Sequence, residues 1–153
     1  MVTTKPRTGL GRVYLDANAE AKRRGDRRVG TDHLLLALLA DPGSVTAQAL
    51  GTDLDTARDA LDRLDRDALA YLGIHPRFSP STLPGRPAER LRLTPAARAV
   101  FTGLGTRARD RLPRVLLALL AQEPPDPAAE LLNALGADRA GIRVRLQEAW
   151  RAA

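Results

Sequence analysis

The sequence predicts an all-α protein made of two copies of a four-helix motif, and three observations carry that expectation. Aromatic residues are only 3% of the 153, so Leu, Ala and Val must build the core. Leu and Ala favour helix, whereas sheets favour β-branched and aromatic residues. Apolar residues recur at helical spacing, as at Leu54, Ala57, Leu61, Leu64, Ala68, Leu69 and Leu72. Finally, the chain repeats itself. The run Leu34 to Ala40 aligns with Val115 to Ala121, and Ala49-Leu50-Gly51-Thr52-Asp53 aligns with Ala134-Leu135-Gly136-Ala137-Asp138. A doubled amphipathic motif pairs its two apolar faces across a pseudo-twofold axis.

Eight helices follow from the punctuation. The first runs from about Thr8 to Arg24 and stops at Gly25, which suits the left-handed end position. Thr31 offers an N-cap hydroxyl and Asp32 a first-turn negative charge for the second helix. That helix, His33 to Ala40, is apolar all round and must be buried; Asp41-Pro42-Gly43 ends it. Ser44 caps a short third helix ending near Gly51. Asp53 caps a fourth that reaches Gly73, with Asp and Arg alternating on its solvent face. Residues 74–93 form a proline-rich extended linker. Thr94-Pro95 opens the fifth helix, expected to run to about Arg111. Pro113 is expected to start the sixth, Asp126-Pro127 the seventh, and Asp138 to cap the eighth, with Ile142, Leu146, Ala149 and Trp150 on one face. The expected division is one domain over 1–153, with repeat one at about 8–73, the linker at 74–93 and repeat two at 94–152.

Composition narrows the function. Without cysteine there are no disulfides, thiolate metal sites or cysteine nucleophiles, and His33 and His75 are too few for a metal centre. No Gly-x-Ser-x-Gly elbow surrounds Ser44, Ser79 or Ser81, and no calcium-loop pattern occurs on the fourth helix. The expectation is a protein that is not an enzyme and needs no cofactor. No apolar run approaches the about 18 residues needed to span a membrane, and residues 1–12 do not read as a secretory signal, so a cytoplasmic bacterial protein is the default. Arg greatly outnumbers Lys, which reads as high-GC codon bias of an actinobacterial kind. A net charge of +6 and a pI near 10.9 suit acidic partners or nucleic acid. They also suit a chain whose helix faces are simply well solvated.

The residues Val29-Gly30-Thr31-Asp32-His33-Leu34-Leu35-Leu36-Ala37-Leu38-Leu39 resemble the I-G-T-E-H-hydrophobic-L-L-G-L signature of the N-terminal domain of the Clp unfoldases. Ala17-x-x-x-Ala21 matches the spacing of that family's first helix. Leu93-Thr94-Pro95-Ala96-Ala97-Arg98 is similar to the F-T-P-x-A-K that opens its second repeat. The resemblance covers about Thr8 to Trp150 and is nearest to the ClpC type of Gram-positive bacteria. It implies a domain that docks adaptor proteins and substrates for a ring ATPase, that in some members recognises phosphorylated arginine, and that cyclic peptide antibiotics target. These 153 residues hold no Gly-x-x-x-x-Gly-Lys-Ser/Thr loop, so a stand-alone domain without the ATPase modules is expected.

The resemblance also nominates residues. By position, Val13, Tyr14 and the stretch from Arg90 to Leu93 match the groove that binds adaptors and peptides in relatives. Asp32 stands where the family's phosphoarginine-binding Glu stands, one methylene shorter. The second repeat has Arg111-Leu112-Pro113-Arg114 instead of that motif. A carboxylate is what a guanidinium needs for paired hydrogen bonds, so any such site is expected to depend on the first copy and the linker. Asp32 also reads as a helix-start charge, and Tyr14 as a packing residue. Two basic clusters, Lys22, Arg23, Arg24, Arg27 and Arg28 and then Arg107, Arg109, Arg111 and Arg114, are expected at the same place in each repeat. There they would meet phosphates or acidic partners, or merely complement helix C-termini.

The leading reading is therefore a protein- or peptide-binding module that acts as adaptor, competitor or peptide-sequestering decoy. Its partners would be Clp protease components, adaptor proteins, or client or cyclic peptides. The alternatives are a basic nucleic-acid-binding protein, which lacks a helix-turn-helix signature or stacking platform, and a degenerate domain with an assembly role. Oligomeric state is left open.

Overall fold

The computed structural model describes residues 9–74 and 90–152. Most of the expected linker (75–89, with His75, Ser79 and Ser81) lies outside the described residues. Among those described there are eight helices and one pair of two-residue strands. In chain order they are α1 (Leu10–Arg24), β1 (Arg28–Val29), α2 (Thr31–Leu39), α3 (Val45–Leu50), α4 (Leu54–Tyr71), β2 (Arg92–Leu93), α5 (Pro95–Val100), α6 (Ala108–Leu120), α7 (Pro127–Ala134) and α8 (Arg139–Ala152). The all-α class and the doubled motif hold.

Several ends form as their residues dictate. Gly25 sits at φ 76°, a left-handed conformation that a side chain would strain, and its N–H returns to the Ala21 and Lys22 carbonyls. The side chains of Ser44, Asp53, Thr94 and Asp126 accept first-turn N–H groups of α3, α4, α5 and α7, and Asp138 accepts from Gly141.

The pseudo-twofold relation appears in which helix meets which. α1 lies on α2 as α5 lies on α6, and α2 meets α7 as α6 meets α3. α3 packs on α8 as α7 packs on α4, while α2 and α6 touch each other. At the centre, Leu34, Leu35 and Leu36 of α2 and Leu116, Leu119 and Leu120 of α6 are all fully buried in one continuous core. Polar ties reinforce the crossings: Arg145 Nε donates to the Ala49 carbonyl, and Arg139 donates to those of Leu120 and Gln122, satisfying carbonyls that the end of α6 leaves open.

Two expectations are corrected, and the burial of α4 is added to its expected stripe. α5 ends at Val100 rather than near Arg111, because Gly103 and Gly105 follow with φ of 70° and 77° and break the helix. α6 begins at Ala108 and carries Pro113 inside it, instead of starting there. Pro113 is buried and the preceding turn is held against α8 by Trp150, whose Nε1–H donates to Asp110 Oδ1 at 2.8 Å. That packing offsets the ladder bond a mid-helix proline removes. Finally, α4 buries its apolar stripe only near its start: Ala57, Ala60 and Leu61 are buried, whereas Tyr71, Leu72 and Ile74 are exposed.

Candidate functional site

Three places in the fold gather the nominated residues, and the first is the edge where the chain re-enters from the linker. Tyr14 on α1 donates its hydroxyl to the Leu91 carbonyl at 2.7 Å, and Asn18, one helical turn on, accepts the Leu91 N–H at 2.9 Å. Both hydrogen-bonding groups of one backbone residue are thus held by side chains more than 70 positions earlier. Next to them β2 pairs in parallel with β1, Arg28 opposite Arg92 and Val29 opposite Leu93. Val29 is buried and Leu93 half-buried, so the ribbon presents Arg28 and Arg92 to solvent side by side. Arg27 and Arg90 are exposed beside them, and none of the four arginines makes an ion pair or side-chain hydrogen bond among the described residues. Like charges directly opposite repel, so this arrangement gives no stability of its own. The fold therefore brings Tyr14, Arg90 and Leu93 together, while Val13 is buried in the core and cannot line a surface groove. Asn18 was not legible as a site residue, since its role depends on a contact across the linker, whereas Arg92 lies within the nominated stretch 90–93.

The second place is a polar cluster where α1, α2 and α4 meet. Thr31 does not cap its own helix; the N-cap is Gly30, whose N–H donates to His33 Nδ1 at 2.9 Å. A Cβ at Gly30 would stand 2.6 Å from Asp32 Oδ1, so a larger residue there would make the Asp32 carboxylate move. Because Nδ1 accepts, the ring proton sits on Nε2, which donates to Asp26 Oδ2 at 2.7 Å. Thr31 instead reaches across to the second repeat. Its hydroxyl donates to Asp126 Oδ1 at 2.8 Å and accepts the Ala128 N–H at 3.2 Å.

Arg24, whose side chain is only 9% exposed, binds Asp62 Oδ1 at 2.7 Å and also Asp65, with Asp26 3.5 Å from its Nε. Glu20 is buried against Arg58 and lies 3.7 Å from Arg23. Burial pushes the Asp26 carboxyl up, but its hydrogen bond to His33 and the charges around it outweigh that, and its pKa is lowered. At Asp65 burial wins over the pull of Arg24, with Asp26 and Asp32 adding repulsion, and the pKa is raised. Arg24 is thus already neutralised from within and is not available to a phosphate. Asp32, 13% exposed and 3.4 Å from His33 Nδ1, belongs to this carboxylate-rich cluster rather than to the linker edge.

The third place is on the second repeat. A cavity of about 340 Å³ lies between the start of α3, the first turns of α6 and the end of α8, with Val45, Ala108, Leu112, Pro113 and Trp150 among its walls and Arg109 at its rim. An adjoining cavity of about 320 Å³ shares Arg109 and Trp150 and adds Gln147 and Arg151. The second basic cluster belongs here, at the start of α6, and not at the end of a long first helix as expected. Arg111 and Arg114 are partly tied down, donating to the Thr106 and Leu104 carbonyls at 3.3 Å. Arg107 and Arg109 remain exposed. Among the described residues no three His, Asp or Glu side chains are placed to hold a metal ion, and no helix is long and apolar enough to cross a membrane.

The Clp repeat (R) N-terminal domain family matches residues 12–111, from α1 into the first turn of α6. The chain is also similar to the chloroplastic chaperone protein ClpC2 of Oryza sativa subsp. japonica, 28% identical over 138 residues. That similarity covers 88% of this chain but 14% of the relative, so the chain spans a small part of the length of the protein it matches.

Proposed function

The chain belongs to the Clp repeat N-terminal domain family, and on that premise we propose that it is a non-enzymatic docking module for the protein and peptide partners of a Clp-type system. One observation carries the reading to a surface. The edge built by Tyr14, Asn18, Leu91 and the β1–β2 ribbon is held from both sides, and it displays Arg27, Arg28, Arg90 and Arg92 without partners among the described residues. A cationic edge held in this way steers acidic partners towards it and discriminates against basic ones. It coincides with Tyr14, Arg90 and Leu93, the positions that the family resemblance nominates for adaptor and peptide docking. The roles in view are adaptor, competitor for Clp partners, or peptide-sequestering decoy.

The test is a reconstituted degradation assay with a ClpC-type unfoldase, its peptidase, an adaptor and a fluorescent client. Adding the purified protein should change the degradation rate in a dose-dependent way, upwards for an adaptor and downwards for a competitor or decoy. The double variant Arg28→Glu/Arg92→Glu should lose most of that effect while keeping its helical circular dichroism. An unchanged rate at large molar excess overturns the reading.

A further inference from the structure

The two repeats differ at the starts of α2 and α6 when their counterparts are aligned by sequence. Aligning Leu34 with Val115 places Leu112 at the position of Thr31 and Pro113 at that of Asp32. Aligning Asp53 with Asp138 places Gln147 and Trp150 at the positions of Asp62 and Asp65. In the first repeat this region is closed. Arg24 at the end of α1 fills it and binds Asp62 and Asp65, and Thr31 is bonded to the cap of α7. In the second repeat α5 ends too early to supply an equivalent of Arg24, and Leu112 has no hydroxyl to bridge to the cap of α3. The space that results is the pair of cavities around Trp150.

The chemistry of the space is inverted as well as opened. Where the first repeat has three carboxylates around one guanidinium, the second has an apolar wall of Val45, Leu112, Pro113 and Trp150 with arginines at its rim. Arg109 is 64% exposed, and its only partner among the described residues, Asp110 at 3.7 Å, already accepts the Trp150 indole N–H. Arg107 and Arg151 are exposed, and neither has an ion pair among the described residues. Pro113 offers no charge to a guanidinium, so a cationic ligand is disfavoured at this place.

We propose that these cavities bind a peptide segment in which an apolar side chain is followed by acidic residues. The apolar side chain enters beside Trp150, and the carboxylates meet Arg109 and Arg151. The volume of about 340 Å³ is at the lower end of typical ligand pockets and takes one such side chain rather than a long segment. This inference rests on the docking-module reading but uses a face where α6 and α8 of the second repeat meet the start of α3, apart from the arginine ribbon.

Trp150 is the single tryptophan of the chain and so reports directly on the site. Its fluorescence is to be titrated with acetyl-Gly-Leu-Glu-Glu-amide, acetyl-Gly-Leu-Lys-Lys-amide and acetyl-Gly-Gly-Glu-Glu-amide. A saturable change is expected for the first peptide, with at least tenfold weaker binding of the other two. Arg109→Glu, at an exposed position, should weaken the first peptide about tenfold and leave the thermal melt in place. Ala108→Leu, which fills the cavity, should do the same without altering charge. Equal responses to all three peptides, or no effect of either variant, overturn the proposal. In that event an intact response of the degradation assay to Arg28→Glu/Arg92→Glu leaves the docking-module reading standing, so the two failures are distinguishable.

Discussion

His33 shows how much one side chain can fix when both ring nitrogens have set partners. By accepting from Gly30 it closes the first turn of α2, and by donating to Asp26 it holds a carboxylate in the bend before β1. The sign of the Asp26 shift makes a pH prediction. Its folded-state pKa lies below the ordinary 3.8, so its stabilising contribution is present above that pH and is lost as pH falls through the folded value. Asp65 is the reverse: its pKa is raised, so its contribution is present below 3.8 and is lost as pH rises through its folded value. Asp26→Asn should therefore cost about 1 kcal/mol at pH 7, a figure kept low because both carboxylates are partly solvated. Asp65→Asn should cost nothing at pH 7, since its contribution is already lost there. Urea melts at pH 7 and pH 3 check this, and an Asp26→Asn penalty that persists at pH 3 would contradict it. The sequence revealed the caps at Ser44, Asp53, Thr94 and Asp126, because each bonds three or fewer residues away. It did not reveal Thr31, whose hydroxyl finds its partner 95 positions along the chain.

At the scale of single helices, periodicity located α4 but not the depth to which it is buried. Leu61 is 4% exposed and packs in the core, while Tyr71 at the same helix's far end is 92% exposed. A 3.6-residue stripe says which face is apolar, and only the neighbouring elements decide how far along it is covered. Leu61→Ala should cost about 2–4 kcal/mol through lost burial and a residual cavity. Leu72→Ser should stay within about 0.5 kcal/mol of the parent, as exposed substitutions do. Guanidinium unfolding measures both, and a comparable loss at Leu72 would mean that its face is covered. α5 and α6 teach a complementary lesson. Read locally, Pro113 begins a helix and Gly103 and Gly105 are minor interruptions. In the fold the glycines end α5, and the hold of Trp150 on Asp110 carries α6 upstream through the proline.

For the whole molecule, the repeat pattern was legible because apolar runs and Gly-x-Asp punctuation survive in both halves. The candidate surfaces were less so. The linker edge depends on Tyr14 and Asn18 finding Leu91, and the cavities depend on what the second repeat lacks relative to the first, which appears only when the two are compared in space. Since α2 and α6 share one core, the repeats should unfold together. Leu34→Ala and Leu116→Ala, one in each repeat, should each cost about 3 kcal/mol. Each should also shift the Trp150 fluorescence transition and the circular-dichroism transition by the same amount. Two separated transitions would show that the halves are independent.

The exchange of helix partners between the halves has a consequence for how the molecule meets others of its kind. A face on which α3 receives α8 while α7 receives α4 is isologous: each patch recognises the other half's copy of itself. Such a face closes after one pairing and offers nothing to a third member. Because both copies lie on one chain, the pairing is complete within the molecule and independent of concentration, which leaves the outer faces, and not the most apolar ones, to choose its company.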